Sequence, residues 1–194
     1  MQLLAFFKQI PEFHQLAVED KIILVRNNLM PLVTIHATLS SVSRSDQTVS
    51  PCSNQPWSCP IFQKVNGPEL VKDLEKIFEP YLQLARCDHK IVQLALVVFI
   101  LTSGFSTDSD APDTILRDAL AVYRAQSHYS ELLWKYMESV YGLATATHIF
   151  HQMISRFIAW QTLSVKIRRN VRETLLSTDT INIPPLMKSL LNLP

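Results

Sequence analysis

Glycine is scarce in this chain: there are only 3 glycines among 194 residues. Hydrophobic residues make up 47% of the chain, and this balance favours a packed domain rich in helix over a barrel or a disordered segment. A chain of this length suits one domain, which buries about 70% of the surface of its extended form. The composition therefore predicts a single helical domain with a real core.

A dominant charge and a cysteine framework are also missing. The net charge is +1 and the basic residues are scattered, whereas a surface that binds nucleic acid needs clustered cations to neutralise phosphates. The three cysteines, Cys52, Cys59 and Cys87, are an odd number and lack CxxC spacing. We therefore expect no direct nucleic-acid contact, zinc module or secreted disulfide framework, and a reducing compartment fits best.

Long hydrophobic runs and catalytic motifs are absent as well. The most apolar run, from Ile91 to Leu101, contains Gln93 and falls well short of the roughly 20 residues that span a membrane, so we expect a buried core helix and no membrane segment. The sequence has no GxGxxG, GK[ST], GxSxG or HExxH motif, and an enzyme is not predicted. His148 and His151 have no third ligand nearby in sequence, so neither a metal nor a cofactor is expected.

The most informative stretch is FFKQIPEFHQLAVEDKIILVR, residues 6–26. Its apolar residues fall at helical spacing on both sides of Pro11, which ends the first helix because proline lacks an amide hydrogen and restricts the residue before it. We predict two amphipathic helices that meet at a bend filled by Phe13 and Leu16. Glu19 and Asp20 are expected to face the unpaired amides that open the second helix.

This stretch resembles the signature of nuclear receptor ligand-binding domains. The signature is an aromatic, a small and a basic residue, four free positions, Phe, two free, Leu, three free, Asp, Gln or Lys, two free, then two aliphatic residues. Eight residues meet it: Phe6, Lys8, Phe13, Leu16, Asp20, Lys21, Leu24 and Val25. Phe7 departs from it, because the family prefers Ala, Ser or Ile there. The resemblance implies one all-α domain over residues 1–194, a three-layer antiparallel helical sandwich that lacks the family's first helices.

The rest of the chain supplies further helices. The second helix should run from about Glu19 to Ile35 or Ala37 and is expected to kink at Pro31. Residues 40–60 are rich in Ser, Asn and Pro and predict a polar loop or short hairpin. A helix should end before Pro80 and a short one should follow it. Asp88 is predicted to cap an apolar helix from His89 to Leu101.

A further long helix is expected to open at residues 112–114, after an acidic loop. Its predicted inner stripe consists of Ile115, Leu116, Ala119, Leu120, Val122 and Tyr123. A last long helical segment should run from Leu143 to about Leu176.

The last residues, IPPLMKSLLNLP, form a second motif. A short helix with one apolar face is unstable alone and must dock on something. The tail, residues 184–194, resembles the activation helix of nuclear receptors, in which a glutamate occupies the position of Ser189.

Such receptors bind LxxLL coregulator helices in an apolar groove, the helix-in-groove mode of recognition. By positional match the groove consists of Leu4, Ile22 and Val25, the rim residues Lys8, Lys21 and Arg26, and the tail residues Leu186, Met187, Ser189 and Leu190. Lys8 would meet the carbonyls at one end of the peptide, and the family's glutamate the amides at the other. Ser189 is shorter and neutral, so we expect the peptide to lose about 1 kcal/mol of binding free energy at this end. One hypothesis is that the protein is a weak or inactive transcriptional activator. The other is that phosphorylation of Ser189 restores the negative charge.

The resemblance also implies a ligand and a dimer partner. Met30, Val33, Thr34 and Ala37 would face a lipophilic small molecule, although residues on a long buried helix also serve simply as core. A homo- or heterodimer contact would involve the helix that contains Phe150 to Leu163, which is apolar on more than one face. The function implied is that of a ligand-regulated transcription factor module in the nucleus. The alternative is a ligand-independent or truncated dimerisation module that titrates partners, its cavity filled by side chains.

Overall fold

The computed structural model describes residues 2–43, 60–103 and 115–175. Six α-helices make up most of these residues: α1 Gln2–Lys8, α2 Pro11–Gln15, α3 Val18–Ser43, α4 Pro60–Cys87, α5 His89–Ile100 and α6 Ala119–Leu175. The described ranges contain no β-strand. The prediction of an all-α chain is therefore confirmed.

The helix α3 contacts α4, α5 and α6. Its inner face recurs at helical spacing and is buried throughout, formed by Asp20, Leu24, Asn28, Leu32 and Ile35. Three of these residues are apolar and two are polar. Each of the two polar side chains is hydrogen-bonded to a distant part of the chain.

The helix α5 is a buried core helix, as the sequence predicts. Every residue from Ala95 to Ile100 is buried, and the Phe99 ring stacks on Phe157 of α6 with centroids 4.0 Å apart. The Asp88 carboxylate caps the helix by accepting the Lys90 amide at 3.0 Å. It also accepts the hydroxyls of Tyr136 and Tyr141, at 2.8 and 3.1 Å. One carboxylate thus fixes the start of α5 and holds it against α6.

Two glycines interrupt the longest helices. Gly67 divides α4 into residues 60–66 and 68–87, and Gly142 divides α6 into residues 119–141 and 143–175. Both glycines have φ 74° and ψ 163°, a conformation that is essentially restricted to glycine. Because an added Cβ would meet no atom within 4 Å at either position, the backbone angle and not the available space requires glycine.

The start of α6 differs from the prediction. Residues 115–118 are not helical, and the Asp118 carboxylate caps the helix by accepting the Ala121 amide at 2.8 Å. This later start changes which residues face inward: Leu116 and Val122 are buried as expected, whereas Ile115, Ala119, Leu120 and Tyr123 are exposed. The observed inner face consists of Val122, Ala125, Leu133 and Met137. Residues 112–114 lie outside the described ranges.

The predicted helix end before Pro80 is wrong, whereas the predicted continuation of α3 past Pro31 is confirmed. Pro31 lies inside α3 and Pro80 inside α4, and each helix continues past it. A proline inside a helix costs about 3 kcal/mol, which burial of a few neighbouring apolar side chains offsets. On either side of Pro80, Ile77, Phe78, Tyr81 and Leu82 are all buried. Residues 40–43 of the expected polar loop belong to α3, and residues 44–59 lie outside the described ranges.

By length and composition alone, one helix in the described residues is able to cross a membrane. It is Val18–Ser40 of α3, with a mean hydropathy of 1.3 and 44% of its most apolar window buried in the protein. A long core helix has the same length and composition. The buried, hydrogen-bonded Asp20 and Asn28 favour a core helix.

A buried polar network holds α3 against α5 and α6. The Asn28 amide nitrogen donates to the carbonyls of Ile100 and Thr102, at 3.3 and 2.8 Å, and its oxygen accepts from the Gln161 amide at 3.0 Å. The Thr102 hydroxyl in turn accepts from the Gln126 amide at 2.9 Å. The network therefore joins the middle of α3, the end of α5 and both parts of α6.

We predict that Asn28→Ala destabilises the protein by roughly 2–4 kcal/mol, because it leaves buried carbonyls and the Gln161 amide without partners. Urea unfolding measures the change. The control is Asn27→Ala, since the Asn27 side-chain nitrogen has no hydrogen-bond partner in the described part of the chain. We expect the control to lose less than about 1 kcal/mol; equal losses for the two variants would contradict the role of the network.

Candidate functional site

The candidate site is built on the corner formed by α1, α2 and α3. The first helix ends at Lys8, and Ile10 adopts an extended conformation with φ −82° and ψ 114°. Pro11 is the first residue of α2, where its missing amide hydrogen costs nothing. Leu16 is extended again, with φ −60° and ψ 153°, and α3 begins at Val18. The predicted bend at Pro11 is confirmed, and its inner side is buried.

Three phenylalanines pack in the corner. The ring centroids of Phe6 and Phe7 are 5.5 Å apart, and those of Phe7 and Phe13 are 5.9 Å apart. Phe7 is completely buried, and Phe13 and Leu16 are buried beside it in the main core cluster. The residue that departs from the family pattern is thus part of the core, where its ring fills space that a small residue would leave empty.

The sequence predicts that Asp20 faces the amides at the start of its own helix, but the structure gives it other partners. Its carboxylate is completely buried and accepts the backbone amides of Arg117 and Asp118, at 2.7 and 3.1 Å. These amides precede the first turn of α6. Of the two acidic residues expected to face the α3 amides, Glu19 is exposed, and one of its oxygens lies 3.9 Å from the Arg117 guanidinium. Asp20 therefore connects the corner to the start of the longest helix.

The outer face of α3 carries exposed apolar side chains. Val18 and Ile22 are 64% and 57% exposed, one helical turn apart, and Val25 is half-buried on the next turn. The sequence predicts Ile22 and Val25 as groove residues but not Val18. Of the remaining predicted groove residues, Leu4 and Arg26 are half-buried and Lys8 is exposed. The Lys21 ammonium donates to the His14 carbonyl at 2.6 Å, so this cation meets the end of α2. Leu186, Met187, Ser189 and Leu190 lie outside the described ranges.

The residues predicted to face a ligand have mixed environments. Met30 and Ala37 are half-buried and pack against a second apolar cluster formed by α4 and the end of α6. The Thr34 hydroxyl is bonded to the Met30 carbonyl of its own helix at 3.3 Å, and Val33 is exposed. That these residues face a ligand therefore stays a prediction, and two of them pack as ordinary core residues do.

The helix predicted to form the dimer contact is residues 143–175 of α6. Met153, Phe157, Trp160 and Leu163 are buried within the protein, and Phe150 packs edge-on against Trp134 with centroids 5.8 Å apart. Ile158 remains exposed on this helix. Internal packing thus accounts for much of the apolar character that suggested a second surface, and dimerisation stays a prediction.

His148 and His151, predicted not to form a metal site, lie exposed on this helix. The His148 ring lies 2.9 Å from the Gln152 amide nitrogen. In the ranges that the structure describes, no group of three or more His, Cys, Asp or Glu side chains lies close enough together to hold a metal ion.

Comparison with known proteins adds no family to these observations. No model of a known protein family matches the chain, and a search of curated proteins finds no match.

Sequence reasoning did not find the long-range partners of Asp20, Asn28 and Tyr81. The Tyr81 hydroxyl donates to the Met153 carbonyl at 2.6 Å, and burial raises the pKa of this hydroxyl. Asn28 and Tyr81 fall on helix faces that are otherwise apolar. This pattern indicates that each has a hydrogen-bond partner, because a buried polar side chain needs one. The identity of that partner depends on the tertiary fold.

We predict that Asp20→Asn destabilises the protein by about 2 kcal/mol. An asparagine presents one oxygen to the two amides and turns its own NH₂ group toward a donor, so one buried amide loses its acceptor. Urea unfolding gives the loss, and amide hydrogen exchange should accelerate at Arg117 and Asp118.

Glu19→Gln is the matched control for this substitution. Glu19 is exposed and its ion pair is long, so we expect a change below about 0.5 kcal/mol. If Asp20→Asn leaves exchange at the two amides unchanged, the carboxylate does not hold the start of α6.

Proposed function

We propose that this chain is a coregulator-binding domain of the nuclear receptor type, with the three-layer helical arrangement of that family, and that it acts in transcription in the nucleus. Its proposed binding partner is a short amphipathic LxxLL helix. The single observation that carries the proposal is the pair of exposed apolar residues, Val18 and Ile22, on the outer face of a helix whose inner face is fixed in the core.

Exposure of large aliphatic side chains on a well-packed helix favours a binding surface. Val18, Ile22 and Val25 follow i, i+4 and i+7 spacing, so they form one stripe along α3. Leucines of an incoming helix bury their side chains against such a stripe, each with a gain of roughly 1.5–3 kcal/mol. The rigid attachment of α3 at Asp20 and Asn28 supports the proposal, because a preformed surface loses less entropy on binding.

The ends of the peptide helix provide the polar part of the recognition. Lys8 is exposed and is the last residue of α1, where its ammonium is available to the carbonyls at the end of a bound helix. Ser189 occupies the position that resembles the family's glutamate and offers only a weak bond to the amides at the other end. The proposed domain therefore binds LxxLL helices weakly, unless Ser189 acquires negative charge.

Two packing observations argue against regulation of this domain by a lipophilic ligand. Phe7 is a completely buried aromatic residue where the family prefers a small one, and Met30 and Ala37 pack against the α4 cluster. These contacts favour a second candidate function, a ligand-independent or truncated dimerisation module that titrates partners. The two candidates differ in whether the folded chain retains a small molecule.

The first experiment is fluorescence anisotropy with a labelled LxxLL peptide. We expect Ile22→Ser to weaken binding by roughly tenfold, because the leucines of the peptide lose an apolar partner. Lys8→Ala should weaken binding severalfold, and Ser189→Glu should strengthen it severalfold.

Leu143→Ser is the control for this experiment. Leu143 is 61% exposed, close to the 57% of Ile22, but it lies on α6. Equal affinity for the wild type and Ser189→Glu would refute the argument about the missing charge. Equal losses for Ile22→Ser and Leu143→Ser would refute the groove.

The second experiment separates the two candidate functions. We expect that mass spectrometry of organic extracts from the purified chain finds no stoichiometric lipophilic molecule, because Phe7 is buried in the core and Met30 and Ala37 pack against the α4 cluster. A bound molecule at about one per chain would instead favour the ligand-regulated function. Denatured chain carried through the same extraction controls for lipid that adheres without a folded site.

A further inference from the structure

An open cleft separates α2 from the first turns of α6. Its volume is about 740 Å³, within the range of small-molecule sites. The floor is apolar and made of small or aliphatic residues, namely Leu16, Ala17, Ala121 and Ala125. The cleft shares no residue with the proposed groove of α1 and α3. It is therefore a separate surface, large enough for a ligand with a ring or a short aliphatic body.

Basic side chains line the α6 wall of the cleft. Arg117, Arg124 and His128 all line it. Arg124 and His128 are one turn apart on the same face of α6, and Ala121 and Ala125 line the cleft from the same turns of this helix. The cationic groups thus border the apolar floor on one side.

The acidic residues of the cleft already have partners. The Glu12 carboxylate accepts the Tyr129 hydroxyl at 2.6 Å, and this bond lowers the pKa of Glu12. Burial and the same bond raise the pKa of Tyr129 to about 12, so the bond is intact at neutral pH. The Asp118 carboxylate accepts the Ala121 amide as the cap of α6.

The two arginines of the cleft, in contrast, have few or no partners among the described residues. The Arg124 guanidinium has no hydrogen-bond or ion-pair partner among the described residues. The Arg117 guanidinium has one long contact, 3.9 Å from Glu19, with both side chains mostly exposed. A contact of this length and exposure contributes little and is readily exchanged for a better acceptor. The Arg124 guanidinium is therefore available to a ligand, with Arg117 beside it.

From this arrangement we propose that the cleft between α2 and α6 binds an organic anion, a small molecule with an apolar body and a carboxylate, sulfonate or phosphate group. The apolar body lies on the floor of Leu16, Ala121 and Ala125. The anionic group binds the Arg124 guanidinium, whose planar NH groups match an oxyanion in pairs, with Arg117 beside it.

The test is a fluorescence titration of the full chain with 8-anilinonaphthalene-1-sulfonate, an aromatic sulfonate with these two parts. We expect saturable binding of one probe per chain. Arg124→Gln should weaken it by about tenfold, because a hydrogen bond to a charged group is lost. Gln15→Glu, which adds a negative charge at an exposed position of the cleft, should weaken it severalfold.

Matched controls carry the same chemical changes elsewhere. Arg86→Gln at the end of α4 and Gln93→Glu on α5 alter exposed residues outside the cleft lining and should leave binding unchanged. N-phenyl-1-naphthylamine, which lacks the sulfonate, should bind more weakly and should not respond to Arg124→Gln. Circular dichroism checks that every variant remains folded.

Three results would overturn the proposal. The first is the absence of saturable probe binding. The second is an equal loss in the cleft variants and in their controls, which places the probe elsewhere. The third is equal binding of the neutral probe, which shows an apolar surface without anion recognition. Because none of the altered residues belongs to the α1 and α3 groove, each result is independent of LxxLL binding.

Discussion

The buried carboxylate of Asp20 is the interaction on which the arrangement of the N-terminal corner depends. It lies at the start of α3 and accepts two backbone amides that precede α6, nearly one hundred positions later in the sequence. A carboxylate without exposure to water is stable only when such donors surround it, and the two amides need an acceptor in turn. Each group therefore satisfies the other, and the corner has one position relative to α6.

Asn28 repeats this arrangement two turns further along the same face of α3. Its amide meets the carbonyls at the end of α5, where the helix has no further amides to offer, and its oxygen meets Gln161. The apolar residues of the same face, such as Leu24 and Leu32, provide the larger part of the burial energy, but apolar burial does not fix the orientation of the helix. The hydrogen bonds of Asp20 and Asn28 set the orientation of α3, because hydrogen bonds require defined distances and angles.

The periodicity of the sequence predicted the helices well and their ends less well. The bend at Pro11, the cap at Asp88 and the buried helix α5 follow from local rules that need no tertiary information. The predicted start of α6 was wrong because residues 115–118 are not helical and Asp118 caps the helix, while the amide of Asp118 is bonded to Asp20. The predicted helix end before Pro80 was wrong because the packing of buried residues on both sides of it outweighs the local cost of a proline inside a helix. The candidate groove rests on positional match, and periodicity does not reveal which of its residues are exposed.

The exposed residues of α3 depend on the buried ones. A helix is a rigid element over this length, so fixing Asp20, Asn28 and Ile35 inward also fixes the direction of Ile22 and Val18 outward. The segment formed by Leu16 and Ala17 leads directly into this helix and also lines the cleft beside α6. Both proposed surfaces therefore have the same rigid support, although they share no contact residue. A substitution that loosens Asp20 would disturb both, whereas one at Ile22 or Arg124 would change only its own surface.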